Sequence, residues 1–283
     1  MATAKSSRKP GRLIPIGGNE DKELKHAKIL PEVVRISGGK RSRIVVCGSP
    51  SAKPDEKERI YKKIFEDLGA GEVVEAEIHD RIDAEQPEQV EKVARATGVF
   101  FTGGDQLRLT SLIAGTPFGN CIRDRLWQEG LVVAGTSAGA AAMSSTMVIG
   151  GSDDGTVRRA DVRLAPGLGY LRDTTIDTHF AQRGRVSRLL AIFAQNPQVL
   201  GIGLDEDTGI IVTPGKKFEV IGSGAVFVFD GRVTHTNAPE VSDDEVLALT
   251  DSYLHVLPAG YGFDLKKKRP ILPNGKEIEP HDE

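Results

Sequence analysis

Apolar and polar positions follow two rhythms along the chain, and the changeover lies near Met147. Ahead of it, short continuous apolar runs alternate with longer amphipathic stretches. Leu13-Ile14-Pro15-Ile16, Arg43-Ile44-Val45-Val46-Cys47, Val73-Val74-Glu75-Ala76, Gly98-Val99-Phe100-Phe101-Thr102 and Leu131-Val132-Val133-Ala134 are short and nearly uniformly apolar. They predict strands buried on both faces. Between them, residues 54–68 put Ile60, Ile64, Phe65 and Leu68 on one helical face, and residues 87–96 turn Val90 and Val93 inward. Further helices are predicted over residues 106–114 and 124–129. Residues 24–34 carry a helical pattern that Pro31 is expected to break or shorten. Strand and helix in alternation predict a parallel sheet covered by helices on both faces.

Beyond Met147 the rhythm shortens. Residues 150–155 read as a polar loop and residues 161–170 as a segment punctuated by Gly and Pro. Thr174-Thr175-Ile176-Asp177-Thr178 reads as a short strand, residues 184–195 as a helix, and residues 199–205 as a strand. Ile210-Ile211-Val212, Phe218-Glu219-Val220-Ile221 and Ala225-Val226-Phe227-Val228-Phe229 predict antiparallel strands joined by Pro-Gly, Gly-Ser-Gly and Asp-Gly turns. Residues 246–257 add a strand or strand pair. The fold class is therefore α/β: a mostly parallel central sheet with extra antiparallel strands in the C-terminal third. Residues 13–265 read as a single domain, residues 1–12 as a disordered tail, and residues 266–283 as a loosely held one.

Composition narrows the function classes. A net charge of −3 over 283 residues gives no bulk attraction to nucleic acid or an anionic membrane. Two cysteines make neither a disulfide framework nor a metal site, and Cys47, inside a strand-like run, reads as a small core residue. No apolar stretch is long enough to span a bilayer, and the polar, basic first residues lack the apolar core of a secretory signal. A cytoplasmic protein is expected.

The candidate chemistry starts at Gly135-Thr136-Ser137-Ala138-Gly139, between an apolar strand and small helix-forming residues. G-x-S-x-G in that context is a nucleophile elbow, a tight turn that exposes one strained Ser. Its glycines let strand and helix pass closely. The N–H of Ala138 is left to face a developing oxyanion, aided by the positive end of the following helix. The same residues also suit plain tight packing, so the Ser needs partners elsewhere. Of six histidines, His179 stands at the end of a strand, where sites form in open α/β sheets. His26, His79, His235, His255 and His281 read as surface or core residues. For the orienting carboxylate, Leu204-Asp205-Glu206-Asp207-Thr208 and the pair Asp153 and Asp154 both offer acids, and spacing does not choose between them. Gly103-Gly104-Asp105-Gln106 offers backbone N–H groups at a strand end and a side-chain amide for a substrate. Arg183, Arg185 and Arg188 follow the candidate base. Arg185 and Arg188 share a face at a helix start, where cations oppose the dipole, and such guanidinium forks suit substrate carboxylates.

Taken together, Ile16-Gly17-Gly18-Asn19-Glu20-Asp21, Phe100-Phe101-Thr102-Gly103-Gly104-Asp105-Gln106, Gly135-Thr136-Ser137-Ala138-Gly139-Ala140, and Asp177-Thr178-His179-Phe180 with the three Arg resemble the cyanophycinases. These are relatives of peptidase E among serine peptidases with a flavodoxin-like, glutamine-amidotransferase-like fold. The likeness runs from about Leu13 to Phe263. It implies Ser137 as nucleophile, His179 as base and Glu206 as orienting acid. It implies an oxyanion hole from Ala138 and Gly103 or Gly104, and a substrate pocket shaped by Gln106, Asp177, Arg183, Arg185 and Arg188. The implied activity is exopeptidase release of β-Asp-Arg from cyanophycin, a poly-aspartate with Arg on each side chain, or from β-aspartyl-arginine oligomers. A cytoplasmic homodimer with no cofactor is implied as well. Thr178 stands where these enzymes often carry Gln. An aspartyl dipeptidase similar to peptidase E and a non-catalytic binding protein of the same fold are the alternatives.

Overall fold

The first five apolar runs become neighbouring strands. In the computed structural model, which describes residues 9–151, 155–230, 233 and 235–278, they are β1 (Arg12–Ile16), β2 (Arg43–Cys47), β3 (Glu72–Glu75), β4 (Gly98–Phe101) and β5 (Val132–Thr136). They lie parallel in the order β3-β2-β4-β5-β1. Each is followed or preceded by a helix: α1 (Leu30–Ile36), α2 (Pro54–Asp67), α3 (Pro87–Ala94), α4 (Gln106–Ile113) and α5 (Pro117–Gln128). A four-residue helix, α6 (Ala138–Ala141), follows β5.

Pleating explains why the runs are apolar throughout. Ile14, Ile16, Ile44, Val46, Phe100, Val132 and Ala134 face α1 and α2, packing against Val33, Tyr61 and Phe65. The intervening Leu13, Val45, Cys47, Val99, Phe101 and Val133 face the other way, onto Val93, Leu109, Phe118 and Ile122 of α3, α4 and α5. Both faces of the parallel sheet are covered, so alternation disappears from the sequence. Cys47 is buried there as expected, and burial pushes its thiol up to about 12.

Prolines open four of these helices, at Pro31, Pro54, Pro87 and Pro117. A first-turn N–H has no intrahelical acceptor, so Pro loses nothing there. This corrects the reading of residues 24–34: Pro31 starts α1 instead of breaking a helix. It also moves the start of α5 back to Pro117.

The remaining strands are β6 (Thr146–Gly151), β7 (Val162–Pro166), β8 (Thr174–Thr178), β9 (Leu200–Leu204), β10 (Thr208–Thr213), β11 (Lys217–Gly222), β12 (Ala225–Asp230), β13 (His235–Thr236), β14 (Leu249–Thr250), β15 (Tyr253–Pro258), β16 (Gly262–Asp264) and β17 (Arg269–Ile271). The helix α7 (Val186–Gln195) joins β8 to β9. The antiparallel strands divide in a way the sequence does not announce. β10, β11, β16 and β17 extend the main sheet beyond β1, making it nine-stranded. β8, β9, β12 and β15 form a second, four-stranded sheet. Residues 266–278 are not a loose tail, because β17 closes the edge of the main sheet and Ile278 donates back to Pro270. At the other end, Gly11 donates to the Leu126 carbonyl at 2.7 Å, so order begins ahead of β1. Residues 150–151 and 162–166 pair within the antiparallel strands β6 and β7.

One buried carboxylate ties α2 to the sheet. Glu58 accepts from the N–H of Gly48 at 2.8 Å and from that of Glu77 at 3.3 Å. Burial dominates and raises its pKa to about 7. The folded protein then holds a proton that the unfolded chain has released above about pH 4.5. Stability is therefore expected to fall as pH rises from 5 to 7 and to level off above that. Melting temperature measured across this range should decline in the wild type, and Glu58→Gln should flatten the slope; an equal slope in both would remove this role from Glu58.

Candidate active site

Three parallel strands end side by side at the site. Ile16 is in register with Thr136, and Phe101 with Gly135, so the loops after β1, β5 and β4 converge. They carry Gly17-Gly18, Ser137 and Gly103-Gly104 respectively. The second sheet delivers the rest. Thr178 pairs with Leu204 at the ends of β8 and β9, which sets His179 beside the loop holding Glu206.

Ser137 sits at φ 53° and ψ −110°, a conformation a side chain adopts only under constraint. Gly135 and Gly139 make the turn possible: a Cβ on Gly135 would come within 2.8 Å of the Gly139 backbone, and one on Gly139 within 2.6 Å of the Phe101 carbonyl. The Ser137 hydroxyl lies 2.9 Å from His179 Nε2, and His179 Nδ1 lies 2.7 Å from Glu206 Oε1. Hydrogen bonds from His179 and Asn19 hold the Glu206 carboxyl below the usual carboxylate range. An ionised Glu206 accepts only, so Nδ1 carries the imidazole proton and Nε2 is free to accept from the serine hydroxyl.

The geometry separates the acids that spacing left open. Asp205 is turned away, accepting from the backbone of Ala181 and Ala225. Asp207 accepts from Ser223 at 2.6 Å. Asp153 and Asp154 lie outside the described residues. Ala138 opens α6, and Gly104 lies beside Ser137 on the wall of the same cavities. Among the described residues neither N–H donates to a protein acceptor. At four residues, α6 brings oriented N–H groups more than a summed dipole.

Beside Ser137 a cavity of about 190 Å³ gathers Gln106, Asp177, Arg183, Arg185 and Arg188, the residues the resemblance implies for the substrate pocket, together with Thr178. Their internal bonding differs from the expectation. Asp177 does not stand free in the pocket. It accepts from Arg188 Nε at 2.8 Å and from Arg185 at 3.2 Å, deep in the protein. Arg185 also donates to the Thr178 carbonyl at 2.6 Å. The two cations at the start of α7 thus share one buried carboxylate, which offsets one of their charges and eases their unfavourable placement against the helix dipole. Gln106 donates to the Val148 carbonyl and braces β6 against the pocket. Arg183 is exposed at the rim.

Residues 13–221 match peptidase family S51. The chain belongs to peptidase family S51. A cyanophycinase of Synechococcus elongatus is 38% identical over 257 residues, covering 90% of this chain and 80% of that protein. A cyanophycinase of Geminocystis herdmanii is 38% identical over 261 residues, covering 92% of this chain and 95% of that protein. A crystal structure of a peptidase from an acI-B1 Actinobacterium shares the fold, with a TM-score of 0.60 at 22% identity over 87% of this chain and 97% of that structure.

Other members of the site in this S51 chain carry no signal by residue type alone. Glu20 is buried behind the elbow, where it accepts from Thr136 at 2.6 Å and from the Tyr61 hydroxyl, with Lys22 at 3.4 Å. Burial and the Glu20 charge push the Tyr61 phenol well above its ordinary range, so it remains a donor. Gln182 accepts from the backbone N–H of Glu206 at 3.1 Å. The detectable signal was Gly17-Gly18-Asn19-Glu20 as a conspicuous loop after a strand, but its tasks emerge only in three dimensions.

Gly18 has a further task. It sits at φ +102°, and a Cβ there would meet the His179 ring at 2.4 Å. The imidazole lies flat against this glycine. Gly18→Ala is expected to preserve the circular dichroism spectrum and, by displacing the His179 imidazole about 1 Å, to lower kcat for peptide hydrolysis ~100-fold. Retention of near wild-type kcat would show that His179 does not need the space.

Proposed function

We propose that this protein is a serine exopeptidase that hydrolyses cyanophycin to β-Asp-Arg dipeptides through an acyl-enzyme on Ser137. The observation that carries the reading is the hydrogen-bonded line from Ser137 through His179 to Glu206, 2.9 Å and 2.7 Å per link, in a chain aligned nearly end to end with cyanophycinases.

In this mechanism His179 Nε2 takes the Ser137 proton as the hydroxyl oxygen attacks the backbone carbonyl of the substrate. Negative charge moves to the carbonyl oxygen, which accepts from the N–H groups of Ala138 and Gly104. Loss of one such donor typically costs about 3 kcal/mol of barrier. His179 then gives its proton to the departing amine, and the C–N bond breaks. Water enters, loses a proton to His179 and attacks the ester; collapse returns the proton to Ser137 and frees the product. Glu206 keeps the imidazole in the accepting tautomer and stabilises the imidazolium. Gln106, Thr178 and Arg183 contact the substrate, and the pair of Arg185 and Arg188, held by Asp177, shapes the wall behind it.

The same reading takes the protein to be cytoplasmic and to work as a homodimer. Its support is the edge strand β15, which exposes Tyr253, Leu254 and Val256. Among the described residues no helix is long and apolar enough to cross a membrane. Sedimentation at twice the chain mass is the expected outcome, and sedimentation as a monomer at micromolar concentration would remove the dimer.

Purified protein incubated with insoluble cyanophycin should release soluble β-Asp-Arg, identified by mass spectrometry. Ser137→Ala should reduce release at least ~1,000-fold, in line with removal of a triad nucleophile. Absence of β-Asp-Arg from the wild-type reaction would overturn the substrate; unchanged release by Ser137→Ala would overturn the nucleophile.

A further inference from the structure

Half of the cleft has no task in that mechanism. Ser137 and His179 line two cavities at once. One holds Gln106 and the Asp177 cluster. The other, about 320 Å³, lies toward α2 and is lined by Lys22, Lys57, Ser51 and Tyr61. A peptide laid across Ser137 has residues on both sides of its scissile bond, so it enters both spaces.

The charges of the two cavities differ in kind. In the first, the single carboxylate of Asp177 is shared between two of the three guanidiniums. In the second, two ammonium groups stand with no carboxylate among the lining residues. Glu20 behind the wall already accepts from Thr136, Tyr61 and Lys22. Lys57 is set apart from its neighbours on and beside α2. Lys53, Lys62 and Lys63 each have a carboxylate partner, Glu56, Glu75 and Asp67. Lys57 is half-buried and, among the described residues, has none. The adjacent Glu58 cannot supply one, because its carboxylate is turned inward onto Gly48 and Glu77. A half-buried ammonium with no counter-charge favours an anionic ligand and repels a guanidinium.

Each residue of a poly-aspartate bearing isopeptide-linked arginine presents one guanidinium and one free arginine α-carboxylate. We infer that the Lys22–Lys57 cavity is a subsite for that α-carboxylate, on the substrate residue across the scissile bond from the one seated beside Asp177, with Lys57 as its specificity-determining contact. This inference rests on the peptidase reading above.

The test is a cycle of two changes, one in the enzyme and one in the substrate. Wild type, Lys57→Ala and Lys57→Arg are assayed on a soluble β-Asp-Arg oligomer and on the same oligomer with its arginine α-carboxylates converted to amides. Melting curves of the three proteins control for folding. Loss of a charge-assisted contact should lower kcat/KM of Lys57→Ala on the free-acid oligomer about 10-fold, mainly through KM, and Lys57→Arg should recover most of it. On the amide oligomer, wild type and Lys57→Ala should differ by less than about 2-fold, because the partner of Lys57 is gone. Equal losses on both substrates, or no loss on either, would overturn the subsite while leaving the peptidase intact. Failure of the wild type to cut either oligomer would instead overturn the peptidase reading and the subsite with it.

Discussion

Three main-chain carbonyls on one loop hold the site together. The N–H of Ser137 donates to Ile16, that of His179 to Gly17 and that of Asp207, next to Glu206, to Gly18, each at 2.9 Å. Ser137, His179 and Glu206 come from segments far apart in the chain, and one short stretch of backbone fixes all three. Each such bond contributes only about 1 kcal/mol net. Their effect is positional: they set where the side chains of Ser137, His179 and Glu206 begin. Small residues are required because the carbonyls must come so close. A Cβ on Gly17 would fall 2.0 Å from the Asp205 carbonyl oxygen. Asn19, also at positive φ, completes the loop by donating to the Glu206 carboxylate.

Around this loop the protein separates its charges by depth. Glu20 and Asp177 are both nearly inaccessible, and each is matched by donors: Thr136, Tyr61 and Lys22 for the first, Arg185 and Arg188 for the second. Buried carboxylates without such partners would take up protons or unfold the surroundings. Glu206, by contrast, is partly open to solvent and stays ionised through hydrogen bonds from His179 and Asn19. Glu206 is thus held ionised by two donors, while the deep acids brace the walls.

Much of this is legible in the order of residues. The five apolar runs report their own burial, because a parallel strand covered on both faces has no polar side. The elbow is legible because Gly135 and Gly139 leave a literal pattern around Ser137. Partnerships between distant segments are harder to see. Nothing in Thr174-Thr175-Ile176-Asp177-Thr178 distinguishes a strand of the main sheet from one of a second sheet; pairing with β9, itself paired to β12, decides that. Asp177 reads as an acid available to a ligand until Arg185 and Arg188, one helical turn apart, are seen to reach it. Pro31 misleads for a local reason: the same ring that breaks a helix interior is harmless in its first turn, and sequence pattern leaves the boundary uncertain. Residues 269–271 look like tail because the β-strand they form is short and charged at its start, yet backbone pairing to β16 holds them at the sheet edge.

The division into two sheets has a consequence for how catalytic competence is built. Ser137 rides on the nine-stranded sheet, His179 beyond the end of a strand of the four-stranded one, and Glu206 on the loop that joins β9 of the second sheet to β10 of the first. In the proposed mechanism, neither sheet carries a working centre alone. Turnover is therefore a gauge of how the two layers are docked: a slip of one against the other silences the protein while every helix and strand remains intact.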